Sequence, residues 1–258
     1  MQNLKIVVVI PTYNCEKQIG RVIDGFDKKL LQRLEKIIVV DNGSGDDTVN
    51  AAKKAIKRLR SSKFEIWQNT NNYNLGGTHK VAFLAGEKMK MDYLAILHGD
   101  DQAKTNELNR LIDTAIQNPD AGAILGTRFM SGSKLIGYDW KRIYGNRAIN
   151  ILYSIVSLRP CKDLGSGLNL FKLKELSDHR YLGFSDAITF NIDLLLDYFT
   201  KRTRLIFVPI TWTEEDQISN ARNFAVGKTA IRKILKWRIG RPEYKPMPSY
   251  HYTSRKVS

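Results

Sequence analysis

The chain has 258 residues, 43% of them hydrophobic and 26% charged, and 41 Lys and Arg against 26 Asp and Glu give it a formal net charge of +15. Length and apolar content are those of a folded protein with one large α/β domain or two small ones. Cys15 and Cys161 give neither a disulfide framework nor metal-ligand spacing, so a reducing compartment is expected; no signal peptide is visible, and no apolar stretch approaches the roughly 20 residues of a spanning helix.

Residues 4–10 (LKIVVVI) are a β-branched run bounded by Pro11-Thr12-Tyr13-Asn14 and predict the first strand. A helical stripe follows over 16–31, with Ile19, Val22, Ile23, Phe26 and Leu30 on one face. Residues 36–40 (KIIVV) predict a second strand that ends in Asp41-Asn42-Gly43-Ser44-Gly45-Asp46-Asp47. Asp47 or Thr48 is expected to cap the next helix, which carries Val49, Ala52, Ile56 and Leu59. A third strand over 64–68 leads into a turn-rich loop, 69–77 (NTNNYNLGG), and a helix over 78–89. Residues 93–97 (YLAIL) predict a fourth strand without alternation, buried on both faces. A helix bearing Leu108, Leu111, Ile112 and Ala115 stops at Asn118-Pro119, and a fifth strand over 121–125 ends in Gly126-Thr127-Arg128-Phe129. Four alternations of strand and helix predict successive βαβ units and a parallel sheet.

Beyond Ser131 the rhythm changes. One long helix is predicted over 138–158, a loop over 163–169, a short strand over 169–171 and a helix over 188–200. A strand over 204–210 contains Pro209, which places it near a sheet edge. From Ala221 the chain reads as a basic helix and an irregular tail. From Lys201 onward there are 13 Lys and Arg against 4 Asp and Glu, so more than half of the excess charge lies in the last quarter. Val226, Ile231, Ile234, Leu235 and Trp237 alternate there with Lys228, Arg232, Lys233, Lys236 and Arg238, a pattern suited to an anionic membrane surface. Nucleic acid is the other polyanion the charge suits, but no base-reading motif or basic groove with stacking aromatics accompanies it, and none is expected as partner.

The chemistry is concentrated where the fourth strand ends, at His98-Gly99-Asp100-Asp101-Gln102. Carboxylate, imidazole and amide on one turn, just past a strand's carboxyl end, suit a divalent cation held together with phosphates. The plainer reading is a strand followed by a helix cap at Asp100 or Asp101.

Several stretches in order resemble family 2 glycosyltransferases of the GT-A fold, in the branch of dolichol-phosphate mannosyltransferase and bacterial polyprenyl-phosphate glycosyltransferases. They are 8–14 (VVIPTYN), 37–44 (IIVVDNGS) with Asp46-Asp47-Thr48, Asn74-Leu75-Gly76-Gly77, the 98–102 turn, 126–129 (GTRF), Asp163 with Ser166-Gly167, and Val208-Pro209-Ile210. The resemblance implies a nucleotide-diphosphosugar transferase fold: a mostly parallel, Rossmann-like sheet flanked by helices over residues 1–220, with a basic amphipathic helical extension over 221–258. It implies a donor site for a GDP- or UDP-sugar at Pro11, Tyr13, Asn14, Asp41, Gly43, Ser44, Gly76 and Gly77, the two last letting backbone approach the nucleotide. It implies Mg²⁺ or Mn²⁺ on Asp100, with Gln102 and His98 as further ligands. Arg128, with Arg142 or Arg147, is expected to hold phosphate oxygens. The implied reaction is inverting transfer of a hexose to a polyprenyl phosphate at the cytoplasmic membrane face. A peripheral, cytoplasmic location and a membrane-anchoring partner subunit are expected with it.

Three departures bear on this. His98 stands where the resemblance places the first carboxylate of the metal motif, and Asn169 stands where it places an arginine. The stretch 213–220 (TEEDQISN) is acidic where phosphate-binding residues are expected, which suits a sugar-hydroxyl acceptor in glycan assembly with Glu215, Glu214 or Asp216 as general base.

Overall fold

The computed structural model describes residues 4–216, 223–242, 244 and 252–258. The first half runs β1 (Ile6–Thr12), α1 (Ile19–Asp24), α2 (Lys28–Gln32), β2 (Lys36–Asp41), α3 (Thr48–Leu59), β3 (Phe64–Asn69), α4 (Asn74–Lys88), β4 (Tyr93–Leu97), α5 (Leu108–Gln117) and β5 (Ala123–Thr127). The second half adds β6 (Lys134–Ile136), α6 (Trp140–Ser157), β7 (Leu168–Lys172), α7 (Phe190–Lys201), β8 (Leu205–Pro209), β9 (Thr211–Thr213), α8 (Asn223–Arg238) and β10 (Ser254–Lys256). Eight strands form one sheet in the order β10-β3-β2-β1-β4-β7-β5-β8; β6 and β9 form a separate parallel pair.

The strands lack alternation because both faces are covered. Val8, Ile10, Ile37 and Val39 pack under α1, α3 and α5, while their neighbours Val7, Val9, Ile38 and Val40 pack under α4 and α7. Each pleat direction meets helices, so a polar residue on either side would be buried without a partner. β8 lies at a sheet edge, where the missing N–H of Pro209 costs no internal ladder bond.

The sheet is not wholly parallel. β7 enters antiparallel between β4 and β5, and β10 pairs antiparallel with β3. The helix expected over 16–31 is two pieces. Phe26 drops into the core between them, and Asp27 starts α2 by accepting from the Leu30 N–H at 2.7 Å. α3 is capped by neither Asp47 nor Thr48: the Asp46 carboxylate accepts from the Thr48 N–H at 3.1 Å. α4 begins at Asn74 rather than Thr78, which moves Gly76 and Gly77 from a loop into its first turn.

The end of the chain folds onto the body. α8 packs on α6 and α7 through Tyr153, Phe199, Ala230 and Ile234, and the Tyr153 hydroxyl donates to the Ala230 carbonyl at 2.7 Å. Lys233, expected on the membrane side, is instead buried on Asp193 of α7. The tail, expected to be irregular, returns as β10. Its anchor is Tyr252, whose hydroxyl donates to Asp186 at 2.7 Å beside the buried Lys80 ammonium, 2.7 Å from the same carboxylate.

Candidate active site

β1 lies between β2 and β4, so the chain runs outward from β1 to β3 and then crosses back to β4. The carboxyl ends of β1 and β4 therefore flank a topological switch point, where open α/β sheets bind ligands. Thr12 is in register with Asp41 and Val9 with Ile96, so the polar segments after β1, β2 and β4 gather at one edge. The 98–102 turn sits hard against β1. The Gly99 N–H donates to the Pro11 carbonyl at 3.0 Å, and a Cβ on Gly99 would lie 2.4 Å from Thr12 Cγ2. Only glycine permits that approach.

On the β1–β2 side, the Asn14 N–H donates to Ser44 Oγ at 2.9 Å and Asn14 Oδ1 accepts from the Gly45 N–H at 2.9 Å. The two loops are thus zipped together, with Asn14 at φ 53° and Gly43 at φ 82° turning the chain. Asp41 is buried beneath them and accepts from the Ser44 N–H at 3.2 Å and Gln68 Nε2 at 3.3 Å. Pro11 is buried, whereas the Tyr13 side chain is exposed beside this pair of loops. Pro11, Tyr13, Asn14, Asp41, Gly43 and Ser44 therefore belong to one continuous surface and its floor.

On the β4 side, Asp100 Oδ1 accepts from the Gln102 N–H at 3.1 Å, closing a turn in which Asp101 has φ 57°. That left-handed residue sends its carboxylate away, to Arg21 Nε at 2.7 Å. Arg21 also grips Asp216 at 3.0 Å. Glu214 accepts from Arg142 at 2.5 Å and from Gln102 Nε2 at 3.3 Å. Asp100 differs: among the described residues no lysine or arginine pairs with it. Burial holds its carboxyl above the usual carboxylate range, a cost that a divalent cation would offset. Among the described residues no three His, Cys, Asp or Glu side chains converge as a metal cage. The donor set therefore fits a cation completed by phosphate oxygens and water, as Mg²⁺ commonly is.

His98 is held by the protein. Its Nε2 faces Nε2 of the fully buried His79 at 3.4 Å, and a Cβ on Gly167 would stand 2.9 Å from its ring. Burial pushes both imidazoles below their usual pKa, so both are neutral at pH 7. Both nitrogen edges of the ring thus face protein, Nε2 toward His79 and Nδ1 toward Gly167.

The profile of the family described as Glycosyl transferase family 2 matches residues 7–172, more than half of the chain. The chain belongs to glycosyl transferase family 2. Among the relatives of this family 2 glycosyltransferase is the polyprenol monophosphomannose synthase of Mycolicibacterium smegmatis, 24% identical over 91% of this chain and 87% of that protein. Another is the dolichyl-phosphate beta-glucosyltransferase of Saccharomyces cerevisiae, 25% identical over 83% of this chain and 69% of that one. Among solved structures, the Mycobacterium tuberculosis glucosyl-3-phosphoglycerate synthase in complex with Mn²⁺, UDP-glucose and glycerol 3-phosphate superposes with a TM-score of 0.66. It is 18% identical and covers 93% of this chain and 82% of that one, a likeness that establishes the GT-A fold.

Three sequence expectations change once the family 2 transferase is seen folded. Arg128 does not present its fork to the crevice: Nε and Nη2 both bond Asp163 at 2.8 Å, and Nη2 reaches the Gly165 carbonyl at 2.9 Å. Its guanidinium also stacks on Phe129 and Trp212, 5.0 and 4.9 Å from their centroids. Arg142 is likewise engaged, by Glu214. Gly76 and Gly77 do allow a close approach, but to the protein itself. A Cβ on Gly76 would lie 2.3 Å from the Ser185 carbonyl oxygen, and one on Gly77 2.5 Å from Tyr73 Cβ.

Glu215 is exposed at the end of the described part of the acidic stretch, and residues 217–220 lie outside the described residues. Residues missed in the sequence are Arg21, which joins Asp101 to Asp216, and His79, which backs His98. The signal for His79 was present. His79-Lys80 are polar residues heading the apolar run Val81-Ala82-Phe83 on a buried helix.

Proposed function

We propose that the chain is an inverting transferase that moves a hexose from a GDP- or UDP-sugar to a polyprenyl phosphate at a membrane surface. Asp100 is the observation that carries this reading: a half-buried carboxylate without a cationic side chain, at the switch point of the sheet, across β1 from the Asn14–Ser44 loops. The loops and Asp41 would hold the nucleotide. Asp100, with Gln102 and then His98 as secondary candidates, would hold Mg²⁺ or Mn²⁺, and a bound cation supplies charge neutralisation for the departing diphosphate. The relatives named as polyprenyl- and dolichyl-phosphate transferases, and the Mn²⁺ and UDP-glucose complex of the structural neighbour, support the same classes of acceptor, cation and donor.

In the transfer, a phosphate oxygen of the acceptor forms a bond to the anomeric carbon as the bond to the diphosphate breaks, and the nucleoside diphosphate leaves. The attacking oxygen is already anionic, so no side chain has to remove a proton. The acidic stretch does not oppose this acceptor as its composition suggested, because Glu214 and Asp216 each face a guanidinium. Arg128 would act at a distance, fixing Asp163 and Gly165 in the segment that leads to Gly167, which lies against His98, rather than touching phosphate.

The second reading, transfer to a sugar hydroxyl, rests on Glu215, which stands exposed next to Glu214. Glu215→Gln separates the two. With a polyprenyl phosphate acceptor its turnover should stay within about threefold of wild type, whereas loss of a general base costs roughly 10²–10⁴-fold. A loss of that size with the phosphate would contradict the first reading, and the second predicts it with a sugar-hydroxyl acceptor that wild type glycosylates.

A further inference from the structure

β10 pairs antiparallel with β3, Ser254 opposite Asn69 and Lys256 opposite Trp67, and so covers the outer edge of that strand. Just before it, Tyr252 and Thr253 do something else: they grip the loop that follows β3. The Thr253 carbonyl accepts from the Thr70 N–H at 3.1 Å, and the two threonine hydroxyls lie 2.8 Å apart. Thr70 Oγ1 is also 2.7 Å from the Tyr73 hydroxyl, and the Tyr73 ring meets that of Tyr252 edge-on, 5.3 Å between centroids. Both tyrosines are buried. Gly77 makes room for this contact, since a Cβ there would stand 3.2 Å from Tyr252 Cε1.

The gripped loop is the one that holds Asn42. The Tyr73 N–H donates to Asn42 Oδ1 at 2.9 Å, and Asn69 Nδ2 donates to the same oxygen at 2.8 Å. Asn42 Nδ2 donates in turn to Asn72 Oδ1 at 2.9 Å. Asn42 is buried and lies between Asp41 and Gly43, so its side-chain amide ties the backbone of the Asp41–Ser44 turn to the 69–73 loop. A second link runs beside the first. The Tyr252 hydroxyl and the buried Lys80 ammonium share Asp186 Oδ1, and the Asp186 carbonyl accepts from the Gly76 N–H at 2.7 Å. Without the Tyr252 side chain, Lys80 keeps Asp186 and the Phe184 carbonyl, so no buried charge is stranded.

We propose that Tyr252 and Thr253 are positioning residues for the nucleotide of the donor. They fix the 69–73 loop, the loop fixes Asn42, and Asn42 holds the Asp41–Ser44 turn in its binding shape. A wall already held in that shape loses less freedom when the ligand arrives, and the difference appears as affinity. The inference rests on the donor reading of the Asp41–Ser44 turn and adds to it a segment, distant in sequence, that shapes the turn.

The test is calorimetric titration of UDP and of GDP, each with Mn²⁺, into the full chain as wild type, Tyr252→Ala, Thr253→Val and Lys256→Ala, with hydrogen exchange at the Tyr73 amide. Lys256→Ala is the control, because it breaks the 3.0 Å bond from β10 to Glu65 and leaves the contacts of Tyr252 and Thr253 in place. Tyr252→Ala should weaken whichever nucleotide wild type binds by about fivefold or more and quicken exchange at Tyr73. Thr253→Val should do the same by about twofold, and Lys256→Ala should do neither. In turnover the loss should fall on donor KM, with kcat at saturating donor within about twofold of wild type. Wild-type affinity in Tyr252→Ala, or an equal loss in Lys256→Ala, would overturn the inference and leave the donor reading standing. If Tyr252→Ala does not fold, Thr253→Val decides, and wild-type affinity and exchange in it would overturn the inference. Wild type binding neither nucleotide would remove the donor reading and the inference with it.

Discussion

Replacing Asp163 with Asn examines the role given to Arg128. The Asp163 carboxylate is 2% exposed and the Arg128 guanidinium 12%, joined by two bonds of 2.8 Å, and Asp163 also accepts from the Arg128 N–H at 3.0 Å and the Gly165 N–H at 3.2 Å. Asp163→Asn keeps the shape and removes the charge. Burial alone would lower the Arg128 pKa, and the Asp163 charge and hydrogen bonds more than reverse it, so the arginine stays protonated and is left uncompensated in the variant. Breaking such a pair from one side costs about 3–5 kcal/mol. At this chain length that is a fall in Tm of about 10 °C, read by circular dichroism on heating. The double variant Arg128→Leu/Asp163→Leu should recover much of the loss, since two apolar groups replace two charges. If Asp163→Asn instead melts within about 1 °C of wild type while the donor KM rises, Arg128 is a phosphate ligand and the structural assignment is wrong.

Two further perturbations follow from the fold. Gly76→Ala sets a methyl group 2.3 Å from the Ser185 oxygen and 2.7 Å from Phe190 Cβ, an overpacking that should cost about 1–3 kcal/mol in urea unfolding; an unchanged midpoint would mean that the first turn of α4 yields freely. Burial pushes the Glu65 carboxyl up, but hydrogen bonds from Lys36, Lys256 and Trp67 outweigh it and hold the pKa down to about 2, from an ordinary 4.5. A depressed carboxyl contributes stability that is complete above pH 4.5 and is lost as pH falls through 2. Glu65→Gln should therefore remove up to about 3 kcal/mol of the stability that wild type loses across that window. Parallel pH–stability curves for the two proteins would contradict the assignment.

Much of the first half was legible because its signals are local. Residues 93–97 are β4 as read, since an apolar run closed by His98-Gly99 leaves no room for another element. β7 was found as a strand but not as an antiparallel insert, because its partners Ile96 and Leu125 lie far away in sequence and direction is set by the crossover, not by Leu168-Asn169-Leu170. Arg128 was read as a free fork because its partner lies 35 residues on, and only the fold brings Asp163 to it. The same holds for Lys233, whose place among the basic residues of an amphipathic pattern concealed a buried bond to Asp193. The 98–102 turn was found as chemistry, but the division of labour within it came from geometry: φ 57° sends Asp101 to Arg21, and His79 occupies the Nε2 edge of His98. Residues 217–220 of the acidic stretch lie outside the described residues.

Asp100 is the carboxylate on which the proposed nucleotide-sugar transfer turns. The direct measurement is transfer of radiolabelled sugar from a panel of GDP- and UDP-sugars to a polyprenyl phosphate, with Mn²⁺ or Mg²⁺, by wild type and by Asp100→Asn. Wild type should give a lipid-linked product with at least one donor. Asp100→Asn should fall by about 10²-fold or more at unchanged Tm, the scale on which loss of a preorganised electrostatic group is felt. Equal product from the variant, or no product from wild type with any donor, would contradict the account.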